Sequence, residues 1–329
     1  MNSSPAPEPT DRSMAQCARS LLTHLSNGRD REVAEILANL LARYLSDDSM
    51  AKKYFPFWEE RGFHLTPVHY YSPIPDTRAL TDHLWAIESQ LVGIDLNRDF
   101  QLHLLSKVFP EFKNEYNDFP HSATGYEFAF DNPNFGGTDA LVLYCMLRHF
   151  NPSLIIEIGS GWSTRLSSKA ALRNGDTNIV CIDPFADDVV AKLPRVSKVI
   201  SKRVETLDLS FFQQLGDRDV LFIDSSHTVK CGGDVNFLYL EVLPRLKKGV
   251  IVHSHDVFFP KEYPKEWVRD LHLFWNEQYL LQAFLTFNSE FELLFCNSYM
   301  GMKYLKMMKA VFPKAPWWGG GSCWFRRRR

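Results

Sequence analysis

The chain has 329 residues, which is enough for one α/β core carrying a substantial extension. Its formal net charge is −2, with 45% hydrophobic and 23% charged residues. This ordinary globular composition argues against nucleic acid or an anionic membrane as the main partner. The six cysteines show no zinc-like spacing, and we interpret them as reduced thiols. Neither a secretion signal nor a membrane-spanning run is recognisable, so we predict a cytoplasmic protein.

The first part of the chain is predicted to be a tail and a helical extension. Residues 1–13 are rich in Pro and Ser and are expected to be disordered. Residues 14–138 are expected to form a mainly helical substrate cap, because apolar residues recur at helical spacing between Met14 and Leu45. A break near Asn27-Gly28 divides that stretch into two helices, and a second helical region is predicted from Thr77 to Phe109. These helices are also expected to mediate a homodimer.

From Ser153 onward, short β-branched runs alternate with helical stretches, which is typical of a doubly wound, Rossmann-like parallel sheet. The predicted strands are Leu154–Ile158, Ile179–Asp183, Lys198–Val204, Val220–Asp224, Val250–His253, Phe291–Cys296 and Ser322–Arg326. The last two are joined by an aromatic and glycine-rich segment that favours a hairpin-like return. The four terminal arginines, Arg326 to Arg329, are interpreted as a solvated tail.

A glycine-containing turn after the first strand is the strongest motif. The strand ends at Glu157 and is followed by Ile158-Gly159-Ser160-Gly161, with a helix expected from Ser163. Glycines let the backbone turn tightly and approach a ligand. Asp183 ends the second strand, where an acidic side chain accepts hydrogen bonds from ribose hydroxyls. The pattern also fits an NAD-dependent oxidoreductase, but the third glycine is missing and the nucleotide fold does not come first in the chain.

Four ordered motifs resemble those of class I S-adenosylmethionine-dependent methyltransferases, in the small-molecule branch of catechol-type and sugar O-methyltransferases. They begin at Glu157, Cys181, Asp219 and Leu246, and the resemblance covers about Asp139 to Arg326. It implies residues 139–329 as the S-adenosylmethionine domain, with strand order 3-2-1-4-5-7-6 and strand 7 antiparallel. It also implies a transferase acting on an O or N nucleophile of a small molecule. The expected cofactor contacts are Glu157, Gly159, Ser160, Gly161, Ser163, Asp183, Glu205 and Asp224.

Titratable residues follow the fourth and fifth strands, where ligands bind in such sheets. In catechol-type relatives, a divalent cation is held by an Asp after strand 4 and an Asp-Asn pair after strand 5. Asp224 and Asp256 match two positions, but Val257 stands where Asn would be. His227 or His255 would complete the shell, and imidazole favours Zn, Fe, Mn or Co over Mg. Alternatively, one of these histidines is a general base, or both are structural.

Aromatic residues are candidates for the acceptor pocket. Tyr263 and Trp267 lie in the loop after the fifth strand, where they are expected to form a substrate wall. Tyr70 and Tyr71 precede Pro73 in a segment that suits either a lid or an aromatic loop holding the extension to the sheet. Phe135 and Asp139 precede the first strand and are further candidates for cofactor contact. A non-catalytic nucleotide-binding module remains the third alternative.

Overall fold

A computed structural model describes residues 23, 30–46 and 48–328. The predicted tail, the first predicted helix before Asn27 apart from residue 23, and Arg329 lie outside these residues. The chain forms two compact units, Met1–Asp76 and Thr77–Arg329. None of the helices described is long and apolar enough to cross a membrane.

The described part of the first unit is mainly helical up to Glu59 and irregular from residue 60 to residue 76. It contains α1 (Asp30–Leu45), α2 (Asp48–Lys53) and α3 (Phe55–Glu59). The second helix expected from the Met14–Leu45 pattern is thus confirmed as α1. The indole of Trp58 in α3 packs edge-on against Tyr44, with ring centroids 6.0 Å apart. Its Nε1 donates a hydrogen bond to the Tyr44 hydroxyl at 3.2 Å, which fixes α3 to the end of α1.

The second unit contains the sheet and the remaining helices. The α-helices are α4 (His83–Ala86), α5 (Arg98–His103), α6 (Lys113–Tyr116), α7 (Gly137–Phe150), α8 (Trp162–Asn174), α9 (Asp234–Asn236), α10 (Lys265–Arg269), α11 (Glu277–Leu285), α12 (Asn297–Lys303) and α13 (Leu305–Val311). Single-turn π segments follow α5 and α9, at Leu104–Val108 and Phe237–Val242. Short 3₁₀ turns span Thr77–Ala79, Phe109–Phe112, Val190–Lys192, Val204–Thr206, Leu209–Gln214 and Leu243–Arg245.

Seven strands form one sheet in the order β3-β2-β1-β4-β5-β7-β6. The strands are β1 (Leu154–Ile158), β2 (Asn178–Ile182), β3 (Val196–Ile200), β4 (Val220–Ile223), β5 (Ile251–Ser254), β6 (Phe291–Cys296) and β7 (Cys323–Arg327). β7 is antiparallel to both β5 and β6, whereas the other pairs are parallel. The predicted fold class and strand order are confirmed.

Side chains alternate between two cores, as the period of a strand requires. Ile155 of β1 lies in the core that includes α7 and α8, and Ile156 lies in the core on the other face. Burial on both faces explains the continuous apolar runs of β1, β2, β4 and β5. The parallel strands all end at the same edge, so the residues that follow them come together there.

The connections differ from the predicted ones in their local structure. The β1–β2 connection carries α8, and the β4–β5 connection carries α9 with the π and 3₁₀ turns that follow it, whereas β2–β3 and β3–β4 are joined by loops and 3₁₀ turns. The predicted helical region 77–109 is largely irregular before α5. The return from β6 to β7 carries α12 and α13, although its antiparallel direction was predicted correctly.

The compact units divide at Asp76, while the predicted extension reaches residue 138. Leu104, Phe109 and Phe119 are buried in the same core as β1 and α7. Residues between α5 and α7 therefore cover one face of the sheet. The assignment of residues 14–138 as a substrate cap stays a prediction.

The arginine run does not project from the fold as a unit. Arg326 and Arg327 lie in β7, where Arg326 pairs with Glu292 at 2.5 Å and Arg327 with Glu290 at 3.3 Å. The interpretation as a solvated tail is wrong for these two residues, because Glu292 in β6 and Glu290 just before it supply carboxylates opposite them.

Candidate active site

The glycine turn after β1 is held tightly between two neighbouring strands. Gly159 N donates to Ile182 O, and Asp224 N donates to Ile158 O, both at 3.0 Å. Gly159 has φ +82°, and a Cβ on this residue would overlap the carbonyl oxygen of Asp224. The turn thus requires glycine for both its backbone conformation and the closeness of β4.

Replacing Gly159 with alanine is expected to lower the free energy of unfolding by about 2–5 kcal/mol, from left-handed strain plus overlap with the β4 backbone. Urea denaturation measures this difference. Gly216→Ala is the matched control, because a Cβ there lies 3.6 Å from its nearest neighbour, an ordinary contact. Equal unfolding free energies for the two variants would contradict the close approach.

The Glu157 side chain is buried beneath the turn. Its Oε1 accepts hydrogen bonds from Ser163 Oγ at 2.6 Å and from Thr164 Oγ1 at 3.0 Å. Its Oε2 has no hydrogen-bond partner among the described residues. Burial raises the pKa of Glu157 to about 8, against the opposing effect of the two hydroxyl donors. Ser163 therefore supports Glu157 in this structure, while its predicted cofactor contact stays a prediction.

A cavity of about 500 Å³ opens at the carboxyl ends of β1, β2 and β4. Five predicted cofactor residues line it, namely Gly159, Ser160, Asp183, Glu205 and Asp224, whereas Glu157, Gly161 and Ser163 are not among its lining residues. Ser160 Oγ donates to Asp183 Oδ2 at 2.7 Å, so the turn also orients the acid that directly follows β2. Gly161 N donates a hydrogen bond to Thr164 Oγ1 at 2.9 Å, which links the glycine turn to the first turn of α8.

Next to the cavity, Asp224, His227 and Asp256 present one ligand atom each within 4.8 Å of one another. His227 Nε2 lies 3.2 Å from Asp224 Oδ1 and 3.4 Å from Asp256 Oδ2. Burial opposes charge on each of these groups. Even so, neighbouring histidines hold the pKa of Asp224 down at about 2, and hydrogen bonds to Asp224 and Glu277 hold the pKa of His227 well above its usual value. Burial raises the pKa of Asp256.

The backbone at Asp256 is fixed by the glycine-rich segment before β7. Asp256 has φ +55°, and Gly321 packs so closely that a Cβ there would lie 2.8 Å from Asp256 Cα. Val257 N donates to Gly321 O at 2.7 Å. Asp139 at the start of α7 accepts hydrogen bonds from Gly321 N and Ser322 N at 3.0 and 2.9 Å. Asp139 thus anchors the segment that supports Asp256.

His253 and His255 share one face of β5, as predicted, with ring centroids 5.5 Å apart. His255 Nε2 lies 3.7 Å from Asp256 Oδ1, and His255 also packs against Phe135 at 5.0 Å between centroids. Burial lowers the pKa of His253 well below its usual value. The group of potential ligands contains His227 but not His255. Metal binding or proton transfer by His255 stays a prediction.

The predicted substrate aromatics occupy different environments. Trp267 packs against Trp275 with centroids 5.3 Å apart, and Trp275 lies 4.4 Å from the ring of His227. Tyr263 is buried, and its hydroxyl accepts a hydrogen bond from Gln278 N at 3.0 Å. In the unit Met1–Asp76, Tyr70 and Tyr71 are 93% and 85% exposed. Their roles as a lid or in substrate binding remain predictions.

Two residues of the site were not identified as candidates from the sequence. Glu277 accepts a hydrogen bond from His227 Nδ1 at 2.9 Å, and Trp275 covers the imidazole ring. Both lie far along the chain from His227, in a segment without a recognisable motif. The one available signal was an acidic residue at the start of an apolar helical pattern, which is common without a functional role.

Comparison with known proteins identifies the segment that builds this site. Residues 156–257 match the family model described as a methyltransferase domain. The matched segment extends from within β1 to the residue after Asp256, so it contains the glycine turn, Asp183 and all three potential metal ligands. The resemblance to class I methyltransferases is thereby confirmed.

Other similarities extend beyond this domain. An uncharacterized protein from Archaeoglobus fulgidus is 28% identical over 193 residues, which cover 55% of this chain and 82% of that protein. Among solved structures, the O-methyltransferase TomG of Streptomyces achromogenes in complex with SAM is 12% identical, covering 72% of this chain and all of that one, with a TM-score of 0.38. A Bacillus cereus O-methyltransferase in complex with SAH is 14% identical, covering 70% and 97%, with a TM-score of 0.33.

Proposed function

We propose that the chain transfers a methyl group from S-adenosylmethionine to a hydroxyl oxygen of a small molecule, with a divalent cation held by Asp224, His227 and Asp256. One observation carries the proposal: the cavity lined by the glycine turn and Asp183 adjoins a group of two carboxylates and an imidazole. A cofactor site and a candidate metal site thus share Asp224 as a common wall.

The cavity fits the cofactor chemically. Gly159 and Ser160 of the glycine turn line the cavity where the methionine portion would lie, and Asp183 offers a carboxylate to ribose hydroxyls. Glu205 lies on the same wall, where an adenine amino group would find an acceptor. S-adenosylmethionine supplies an electrophilic methyl group on its sulfonium. The protein has to bring an acceptor oxygen into line with that methyl group and exclude water.

The donor set supports a metal over a histidine general base. Glu277 is a carboxylate that accepts the Nδ1 proton of His227, so a neutral imidazole directs its Nε2 lone pair between Asp224 and Asp256. Three acceptors then converge, which is stable only around a cation. Without a metal, the cation between the two carboxylates is the protonated ring of His227. An imidazolium has no lone pair, so it does not act as a general base. Oxygen and nitrogen ligands of this kind suit Mn, Fe, Co or Zn.

A bound divalent cation would favour the ionised form of an acceptor hydroxyl. The protein's own contribution is orientation. Gly321 packs against the backbone of Asp256, and Trp275 covers one face of the His227 imidazole. Trp267 extends this aromatic surface away from His227, where an acceptor molecule would pack.

Replacing Asp183 with asparagine is expected to weaken S-adenosylhomocysteine binding about 10- to 100-fold, because hydrogen bonds from ribose hydroxyls to a carboxylate are stronger than those to an amide. Isothermal titration calorimetry measures the affinity. Asp188→Asn removes the same charge from an exposed position that is not among the cavity-lining residues, and it is expected to bind like wild type. Unchanged affinity in the Asp183 variant would contradict the assigned ribose site.

A further inference from the structure

Glu277 lies at the start of α11 with its side chain in the interior, where it is 1% exposed. A buried carboxylate is costly unless donors surround it. Three donors do so here: His227 Nδ1 at 2.9 Å on Oε2, and Tyr239 Oη at 2.7 Å and Ser254 Oγ at 3.2 Å on Oε1. Two donors occupy one carboxylate oxygen, which leaves the other oxygen to His227.

The same short segment also fixes the backbone and the ring face of His227. Asn276 N and Glu277 N both donate to His227 O, at 3.0 and 3.2 Å. Trp275 packs against the imidazole with centroids 4.4 Å apart. His227 has φ +55°, a conformation that non-glycine residues hold only when their surroundings enforce it. Residues 275–277 therefore constrain His227 at its carbonyl, its ring face and its Nδ1 atom.

This arrangement determines what the other ring nitrogen can do. An ionised carboxylate is an acceptor only, so the hydrogen bond to Glu277 places the proton of a neutral imidazole on Nδ1. Nε2 then carries the lone pair and points between the carboxylates of Asp224 and Asp256. Carboxylates that accept from the second nitrogen of a metal-binding histidine orient the ring and raise its basicity.

We infer that Glu277 is a positioning residue, which fixes the ring orientation and tautomer of His227 so that Nε2 binds the metal. The inference rests on the proposed metal site, and Glu277 itself touches neither metal nor cofactor. Tyr239 provides a matched control, because its hydroxyl bonds to the same carboxylate without contacting His227. Tyr239→Phe removes a buried hydrogen bond from the same network and leaves the Glu277–His227 pair intact.

The test measures Mn²⁺ affinity by isothermal titration calorimetry in wild type, Glu277→Gln, Tyr239→Phe and His227→Ala, together with S-adenosylhomocysteine affinity. We expect Glu277→Gln to weaken Mn²⁺ binding about 10- to 100-fold, as loss of such outer carboxylates does. Tyr239→Phe is expected to bind Mn²⁺ like wild type, and all four proteins to bind S-adenosylhomocysteine equally. Equal weakening in Glu277→Gln and Tyr239→Phe would overturn the inference, since Glu277 would then act only by supporting the fold.

The outcomes separate this inference from the proposed function. Absence of S-adenosylhomocysteine binding to wild type would reject the methyltransferase cofactor. Normal S-adenosylhomocysteine and Mn²⁺ binding by wild type, with Mn²⁺ affinity lost in His227→Ala but retained in Glu277→Gln, would reject the role of Glu277 alone. Wild type that binds S-adenosylhomocysteine but not Mn²⁺ would reject the metal site and this inference with it.

A measurement on wild type covers the case in which Glu277→Gln does not fold. Long-range ¹H–¹⁵N correlation spectra of the Zn²⁺-loaded protein report the tautomer of each histidine. The His227 signals are assigned by their absence in His227→Gln. We expect a proton on Nδ1 and none on Nε2, whereas a proton on Nε2 would overturn the inference.

Discussion

Asparagine in place of Asp256 is expected to weaken Mn²⁺ binding by at least about 100-fold, since the loss of even an outer carboxylate costs 10- to 100-fold. Asn keeps the volume and one oxygen of the side chain but removes the charge that faces His227 Nε2 at 3.4 Å. S-adenosylhomocysteine affinity is expected to stay unchanged, because Asp256 is not among the residues lining the cofactor cavity. Calorimetric titration with each ligand measures both affinities on one protein preparation.

Asp270→Asn is the control for this experiment, because Asp270 is an exposed acid in the chain that follows Asp256. Its variant is expected to bind Mn²⁺ like wild type, which would show that the measured ion is not held by general surface charge. Equal Mn²⁺ affinity in wild type and Asp256→Asn would contradict the metal site. His227 bridging Asp224 and Asp256 as an imidazolium would then be the better description of the cluster.

Glutamine in place of Glu157 is expected to make the ligand-free protein more stable at neutral pH, by about 3 kcal/mol near pH 7. The pKa of Glu157 is raised from 4.5 to about 8 in the fold, mainly by burial. A raised carboxyl pKa means that the protonated side chain stabilises the fold fully below pH 4.5, and that this contribution is lost as pH rises to about 8. Glutamine resembles the protonated form and does not ionise, so the variant keeps the contribution that wild type loses.

Urea denaturation of both proteins across this range tests the expectation. The difference in unfolding free energy should be smallest near pH 4.5 and should increase up to about pH 8. Glu266→Gln is the control, since Glu266 is exposed and its replacement is expected to change stability little at any pH. If the free energy of unfolding changes with pH in the same way in wild type and Glu157→Gln, ionisation of Glu157 does not destabilise the fold, which would contradict the expectation.

The sheet and the cofactor turn were predictable because local patterns determine them. Within a dozen or so residues, an apolar run predicts β1, the glycines predict a tight turn, and the residues after them predict the start of a helix. Asp183 directly follows the next strand. Parallel strands end at a common edge, so Asp224 and Asp256 were expected near one another before any distance was known. His227 Nε2 lies 3.2 Å from Asp224 Oδ1 and 3.4 Å from Asp256 Oδ2, so the two carboxylates are close together as expected.

The grouping of His227, rather than His255, with Asp224 and Asp256 was not predictable, because it depends on long-range contacts. His255 follows β5 on the face of His253 and packs against Phe135, whereas His227 turns back between two carboxylates under the constraint of Glu277. Nothing near His227 in the sequence indicates a partner in α11. The packing of part of the predicted extension onto the sheet was not predictable for a similar reason, since helical spacing in residues 98–119 does not reveal that Leu104 and Phe109 are buried in the same core as β1.

Titration of the wild-type protein with S-adenosylhomocysteine and, in parallel, with NAD distinguishes a methyltransferase cofactor site from that of an oxidoreductase. The proposed function predicts one S-adenosylhomocysteine bound per chain with a dissociation constant on the order of micromolar, about −8 kcal/mol, and no binding of NAD. NAD binding without S-adenosylhomocysteine binding would contradict the account and assign the cavity to an oxidoreductase.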